Sequence, residues 1–139
     1  MPSSGGGDCG RMTILVVEDE FIVRENIASF LRDAGCVVVE AENGRRAIAM
    51  CSSDSPVDVL FTDIQLNDSV DGWEVAEAFR TTRGNIPVIY TSGNQMEPAR
   101  GVSGSLHFNK PYQPADILRA CERFNRVWLS PLIQRSVTS

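Results

Sequence analysis

The sequence predicts an α/β fold built on a doubly wound, five-stranded parallel sheet. Three observations predict it. Five short apolar runs, most of them rich in β-branched residues, recur along the chain, as strands do. Segments of helical periodicity lie between most of them, the alternation that makes a parallel sheet. The runs are continuously apolar, which suits strands covered on both faces. Right-handed crossovers then wind the helices onto both sides of one sheet.

Each element has its own grounds. Residues 1–11, "MPSSGGGDCGR", are rich in Gly and Ser and read as a flexible leader. "TILVV" at 13–17 is the first strand. Asp19 offers an N-cap to a helix over 20–34, where Phe21, Ile22, Ile27, Phe30 and Leu31 share a face. Gly35 stops that helix as a left-handed residue. "CVVVEA" is the second strand, "NG" at 43–44 turns the chain, and 45–52 form a short helix with Ala47, Ile48 and Met50. "VDVLFT" is the third strand, ending against Asp63. A helix over 72–81 carries Trp73, Val75, Ala76 and Phe79. "IPVIYT" is the fourth strand. Residues 93–105 hold three glycines and Pro98 and are poor helix material. "LHFN" at 106–109 is the fifth strand. Pro114 suits the start of a last helix containing Ile117, Leu118, Cys121 and Phe124. The domain reads as 12–127, with a tail at 128–139.

Composition narrows the function. With 139 residues, 42% of them hydrophobic, the chain can bury one real core. A net charge of −5 argues against direct binding to a nucleic-acid backbone. No apolar run is long enough to cross a membrane, and the leader lacks the apolar stretch of a signal peptide. The four cysteines include no C-x-x-C pair, and His107 is the sole histidine, so a zinc cluster is not expected. Reduced thiols in a cytoplasmic protein are the expectation.

In sheets of this kind, ligands sit beyond the carboxyl ends of the strands. The polar residues there are Glu18 and Asp19 after the first strand and Asp63 after the third. Thr91 and Ser92 follow the fourth, and Lys110 the fifth. Three converging carboxylates repel one another. A hard divalent ion such as Mg²⁺ relieves that repulsion, and Lys110 adds a fixed positive charge. A carboxylate nucleophile, a cation and an ammonium together suit phosphoryl transfer. Read singly, each residue is ordinary: Asp19 a cap, Ser92 a turn former, Lys110 a surface charge, His107 a half-buried strand residue.

Four stretches resemble the receiver domain of two-component response regulators over about residues 12–127. "ILVVEDE" is similar to the family's acidic-pair strand, and "VLFTDIQL" to its phosphoacceptor strand. "IPVIYTSG" is similar to its switch-hydroxyl strand, and "FNKPY" to its Lys-Pro strand. The resemblance implies a flavodoxin-like strand order of 2-1-3-4-5. It implies Asp63 as phosphoacceptor, and Mg²⁺ held by Asp19 directly, Glu18 mainly through water, Asp63, and the Gln65 carbonyl. Ser92, five residues after Pro87, matches the switch hydroxyl better than Thr91. Lys110 would bridge to phosphoryl oxygens. His107 stands where the family usually has a Tyr or Phe rotamer switch. Two departures stand out: Asn67 replaces a common proline, and the interval from Asp63 to the "DG" at 71–72 is one residue longer than usual.

The resemblance also implies partners. A sensor histidine kinase or phosphotransfer protein would donate the phosphoryl group. An unknown downstream protein would read it, and a homodimer is compatible with the family. With twelve residues after 127, the reading is a stand-alone receiver whose output is by protein contact. It would not be an enzyme beyond Mg²⁺-dependent self-phosphorylation from donors and slow self-dephosphorylation. Two other readings were weighed. A small phosphotransferase or phosphatase using Asp63 as covalent nucleophile would want a second acid where Gln65 stands. A flavodoxin-like cofactor binder would want phosphate-cradling donors where Glu18, Asp19 and Glu20 stand.

Overall fold

The computed structural model describes residues 11–93 and 100–129, with side chains to Phe124. The expected leader, save Arg11, and the end of the expected tail lie outside these residues. The elements run β1 (Thr13–Val17), α1 (Phe21–Asp33), β2 (Val37–Ala41), α2 (Gly44–Cys51), β3 (Val59–Asp63) and α3 (Gly72–Arg83). Then follow β4 (Val88–Ser92), β5 (Leu106–Asn109) and α4 (Pro114–Leu129). The five strands form one sheet in the order β2-β1-β3-β4-β5, and every neighbouring pair is parallel. This is the doubly wound order the resemblance implies.

Side chains alternate along each strand, so neighbouring residues feed opposite layers. Ile14, Val16, Val59, Phe61 and Ile89 pack under α1 and α4 with Ile27, Leu31, Ile117 and Cys121. Leu15, Val17, Leu60, Val88 and Tyr90 pack under α2 and α3 with Ala47, Trp73, Val75, Ala76 and Phe79. The aromatic and aliphatic residues expected on the third helix are thus core.

Helix ends show which local rules held. Gly35 has φ 98, and its N–H donates to the Arg32 carbonyl while that of Cys36 donates to the Leu31 carbonyl. These paired bonds satisfy the carbonyls of the last turn, as expected of a glycine stop. The start of α1 is a correction. Its N-cap is Glu20, with no side-chain cap hydrogen bond, and Asp19 is not the cap. Asp19 is drawn into the acidic cluster described below. At α3 the Asp71 side chain accepts from the Glu74 N–H while Glu74 accepts from the Asp71 N–H, a reciprocal cap.

After β4, Arg100 has 3-10 geometry and Ser103 and Gly104 form a turn; residues 94–99 lie outside the described residues. Among the described residues no α-helix separates β4 from β5. Cys51 and Cys121 are buried free thiols, as expected. Cys36 is disulfide-bonded, which corrects the expectation of a reduced thiol there.

Gly72 sets how closely α3 meets the sheet. A Cβ there would lie 2.2 Å from the Asp63 carbonyl oxygen and 2.7 Å from Ile64 Cα. The Gly72 N–H donates to the Ile64 carbonyl at 2.8 Å. Both obstructions are backbone, so no side-chain rotation relieves them. Gly72→Ala is therefore expected to lower stability by about 1–3 kcal/mol, the usual range for overpacking. Urea denaturation checks it, and an unchanged midpoint would show that α3 can move away freely.

Candidate functional site

The site is assembled by the same alternation that builds the core. Glu18 falls two residues after Val16, Asp63 two after Phe61, and Lys110 two after Phe108. Val16, Phe61 and Phe108 all belong to the α1/α4 layer. Each functional residue thus occupies the next position on that face, where the strand runs out. The acid at the end of β3 is a continuation of the core pattern into a polar crevice.

Backbone bonds fix the strand ends. The Glu18 N–H donates to the Ala41 carbonyl at 3.1 Å, that of Ile64 to Thr91 at 2.9 Å, and that of Lys110 to Ser92 at 2.9 Å. A cis peptide joins Lys110 to Pro111. Oxygens of Glu18, Asp19 and Asp63 then lie within 4.8 Å of one another. The Lys110 Nζ donates to Glu18 Oε1 at 2.8 Å and to Asp63 Oδ2 at 3.0 Å.

Magnitudes explain why the cluster holds together. At an effective dielectric of about 20, like charges about 5 Å apart repel by about 3 kcal/mol, and a contact at about 3 Å attracts by about 5 kcal/mol. Three repulsions are therefore nearly matched by two attractions. Burial then decides the balance. Asp63 is 6% exposed and Glu18 3%. Burial pushes both carboxyls above their ordinary range, although Lys110 pulls them back. Burial alone would lower the Lys110 ammonium, but its bonds to both carboxylates outweigh that and raise it. Tyr112 packs edge-on against Phe61. Burial and then the Glu18 charge push its phenol up to about 12.

The residues differ in how far they are committed. Glu18 accepts from Lys110 and, through Oε2, from the Glu20 N–H at 3.1 Å. The Asp63 Oδ1 accepts from the Gln65 N–H at 3.3 Å. The Asp19 carboxylate is half-buried and has no hydrogen-bond partner among the described residues. Thr91 pairs with Asp63 in register, and Ser92 with Asn109; both are buried.

His107 lies in the other layer. It pairs with Tyr90, and its ring sits 5.1 Å from that of Tyr90 and 6.2 Å from that of Trp73. Its Nε2 is buried without a hydrogen-bond partner among the described residues. A Cβ on residue 101 would lie 3.1 Å from that nitrogen, so Gly101 closes the slot. The Tyr90 hydroxyl accepts from the Val102 N–H at 3.1 Å, which ties the connector to β4. His107 is therefore packed inward, and burial holds its ring below the usual imidazole value.

Several residues here escaped the sequence reading. Gly72 lets α3 close on the Asp63 backbone, and only "DG" marked it. Tyr112 flanks the cluster, marked only by its place after Lys-Pro. Asp68 braces the loop after Asp63: its oxygens accept from the Val70 N–H at 2.6 Å and the Arg45 N–H at 3.2 Å. Asx residues commonly supply such local turns, and this one does so in the loop that has Asn67 instead of a proline.

Comparison with known proteins follows the same lines. A family model described as the response regulator receiver domain matches residues 14–122. The crystal structure of a response regulator receiver protein from Sinorhizobium medicae has a TM-score of 0.79 at 33% identity, covering 83% of this chain and 94% of that one. The receiver domain of the hybrid histidine kinase CckA has a TM-score of 0.71 at 27% identity, covering 81% and 98%. A probable transcriptional regulatory protein of Picosynechococcus is 29% identical over 123 residues, 81% of this chain and 49% of that one. The chain spans about half the length of the curated relatives it matches.

The packed His107 ring carries a sign. Its imidazole titrates lower in the fold than when unfolded, so below the ordinary value of 6.5 the unfolded chain takes up a proton that the fold resists. That contribution is neutral above about pH 6.5 and destabilising as pH falls beneath it. His107→Phe keeps a ring and removes the proton. The stability of His107→Phe relative to wild type is expected to rise as pH drops from about 7.5 to 5.5. Denaturation at each pH checks this, and parallel profiles would place the wild-type ring in water.

Proposed function

Because the chain belongs to the response regulator receiver domain family, we propose that it is a phosphoacceptor switch taking a phosphoryl group on Asp63. The observation that carries this is the buried carboxylate of Asp63, joined to Lys110 at 3.0 Å and flanked by Glu18 and Asp19. A carboxylate oxygen of Asp63 attacks the phosphorus of a phosphohistidine. The P–N bond breaks, its electron pair leaves with the imidazole, and an acyl phosphate forms. Later attack by water on phosphorus returns the carboxylate and releases inorganic phosphate. Lys110 is placed to trade a carboxylate contact for the added oxygens. Ser92 is the proposed hydroxyl that bonds them, with Thr91 beside it.

The donor set suits Mg²⁺. The gathered ligands are all carboxylate oxygens, hard donors fit for a hard ion that keeps several waters. Asp19 is the proposed direct ligand, since its carboxylate is uncommitted while Glu18 is engaged twice. The Gln65 carbonyl is proposed as a further ligand. When bound, the ion neutralises charge on the phosphoryl oxygens.

The donor is proposed to be a sensor histidine kinase or phosphotransfer protein, because its histidine must reach Asp63 across the rim of the crevice. That rim includes Phe21, 60% exposed, and Ile22, 66% exposed, on the first turn of α1. A cleft of about 440 Å³ adjoins it, between Ile27 of α1 and Pro111–Tyr112. Large exposed apolar side chains beside a reactive centre are what a transient partner would cover. The transcriptional role is what the names of some relatives state of them, and output here is proposed to be through a protein partner.

Two tests follow. With Mg²⁺ and a small acyl-phosphate donor, one phosphoryl group is expected on the intact protein by mass spectrometry, absent in Asp63→Asn. Labelling that persists in Asp63→Asn would overturn the assignment. Asp19→Asn is expected to weaken Mg²⁺ binding more than Glu18→Gln does. Mg²⁺ at 100 times its dissociation constant should stabilise the fold by about 2.7 kcal/mol. The docking rim is tested by Phe21→Ser/Ile22→Ser, which should slow transfer from a phosphohistidine protein while leaving labelling by the small donor intact. Equal losses with both donors would instead mean damage to the site.

A further inference from the structure

The turn from β1 into α1 carries two of the three acids, yet α1 opens without a side-chain cap. What holds that turn comes from one turn further along the helix. Arg24 Nη1 donates to the Glu18 carbonyl at 2.8 Å. Its Nε donates to Glu40 Oε1 at 3.2 Å, and its guanidinium lies over the Phe21 ring at 5.5 Å. The side chain is only 14% exposed.

Glu40 is the odd residue in this arrangement. On β2 it pairs with Val16 and follows the buried Val38 on the same face, where an apolar side chain would serve packing. A carboxylate there needs partners, and it has two: Arg24, and Arg32 Nη1 at 3.0 Å. Arg32 also donates to the Val38 carbonyl at 3.0 Å. The planar fork of Arg24 thus reaches an anchor on β2 and the backbone of an acidic ligand residue at once. A lysine would have to make both contacts from a single nitrogen, without the fixed fork of the guanidinium.

We propose that Arg24, anchored by Glu40, is a positioning residue for the metal site: it holds the Glu18 backbone so that the Glu18 and Asp19 carboxylates face Asp63. The inference rests on reading the acidic cluster as a Mg²⁺ site. Its sign separates positioning from plain electrostatics. Removing a nearby cation should by charge alone tighten the binding of another cation. Removing a strut that preorganises ligands should weaken it, and outer partners of metal ligands are typically worth about 10–100-fold in affinity.

The test is Mg²⁺ titration by calorimetry on the full chain for wild type, Arg24→Met, Arg24→Lys, Glu40→Gln and Asp19→Asn. Each variant is first shown folded by circular dichroism. Arg24→Met keeps most of the apolar stem and is expected to lose about 10–100-fold in affinity. Arg24→Lys should recover only part of it, although it restores the charge. Glu40→Gln keeps the shape of the anchor, weakens its hold, and should lie between wild type and Arg24→Met. Unchanged or tighter binding in a folded Arg24→Met overturns the inference while leaving the Mg²⁺ site intact. If Arg24→Met does not fold, wild-type affinity in Glu40→Gln overturns it instead. A wild type that binds no Mg²⁺, or an Asp19→Asn that binds as well as wild type, overturns the metal reading itself and this inference with it.

Discussion

One ammonium makes the rest of the site tolerable. Lys110 Nζ touches both Glu18 and Asp63, two carboxylates almost wholly removed from water. Without it, two buried negative charges would face each other with a third at the rim, and at least one would take up a proton. A protonated carboxyl is a poor nucleophile, so on the proposed reading of Asp63 as phosphoacceptor the lysine's position bears on reactivity as well as stability. The two contacts differ little in length, 2.8 and 3.0 Å, so neither acid monopolises the charge. The site is poised between repulsion and neutralisation, a state that a divalent cation would relieve and a phosphoryl group would change.

That poise depends on the period-2 alternation of a parallel sheet. Val16, Phe61 and Phe108 fill one layer, and two residues further on the same face present Glu18, Asp63 and Lys110. The registers of β1 with β3, β3 with β4 and β4 with β5 bring these ends to one edge of the sheet. A slip of one residue in any strand would send its functional side chain into the opposite layer. The hydrophobic core therefore specifies the site: the forces that keep Phe61 inside also aim Asp63.

Much of this was legible in the sequence, because strands and their ends are local patterns. Apolar runs gave the strands, and the polar residue ending each run gave the acids, the hydroxyls and the lysine. Arg24 and Glu40 were not legible, because their meaning lies in a contact across sixteen residues and an arginine on a helix or a glutamate in a strand has no special signature alone. Asp19 reads both as a cap and, by resemblance, as a metal ligand, because a carboxylate before a helix serves equally as either; the cap reading fails, and only the tertiary convergence of β1 and β3 brings Asp19 beside Asp63. Gly72 was visible as a turn residue, but not as the place where α3 presses on the Asp63 backbone. The loop of Asn67 looked compromised, and Asp68 braces it through bonds that no spacing rule foretold.

The two layers would also divide the work of the proposed switch. Glu18, Asp63 and Lys110 lie on the face of α1 and α4, whereas His107, Tyr90 and Trp73 share the face of α2 and α3. Chemistry on one side must cross the sheet to be felt on the other, and β4 is the strand that separates β3 from β5. Ser92 is two residues beyond Tyr90 and on the same face. Tyr90 is wholly buried, held by Val102 at its hydroxyl and by two rings at its sides. So bounded, it cannot absorb a shift of the β4 end by rotating alone. A displacement of Ser92 would have to be shared by His107 or by the connector that carries Gly101 and Val102. The tight approach of Gly101 to the His107 ring makes those two alternatives one: the ring cannot leave its slot toward Gly101 unless the connector moves first.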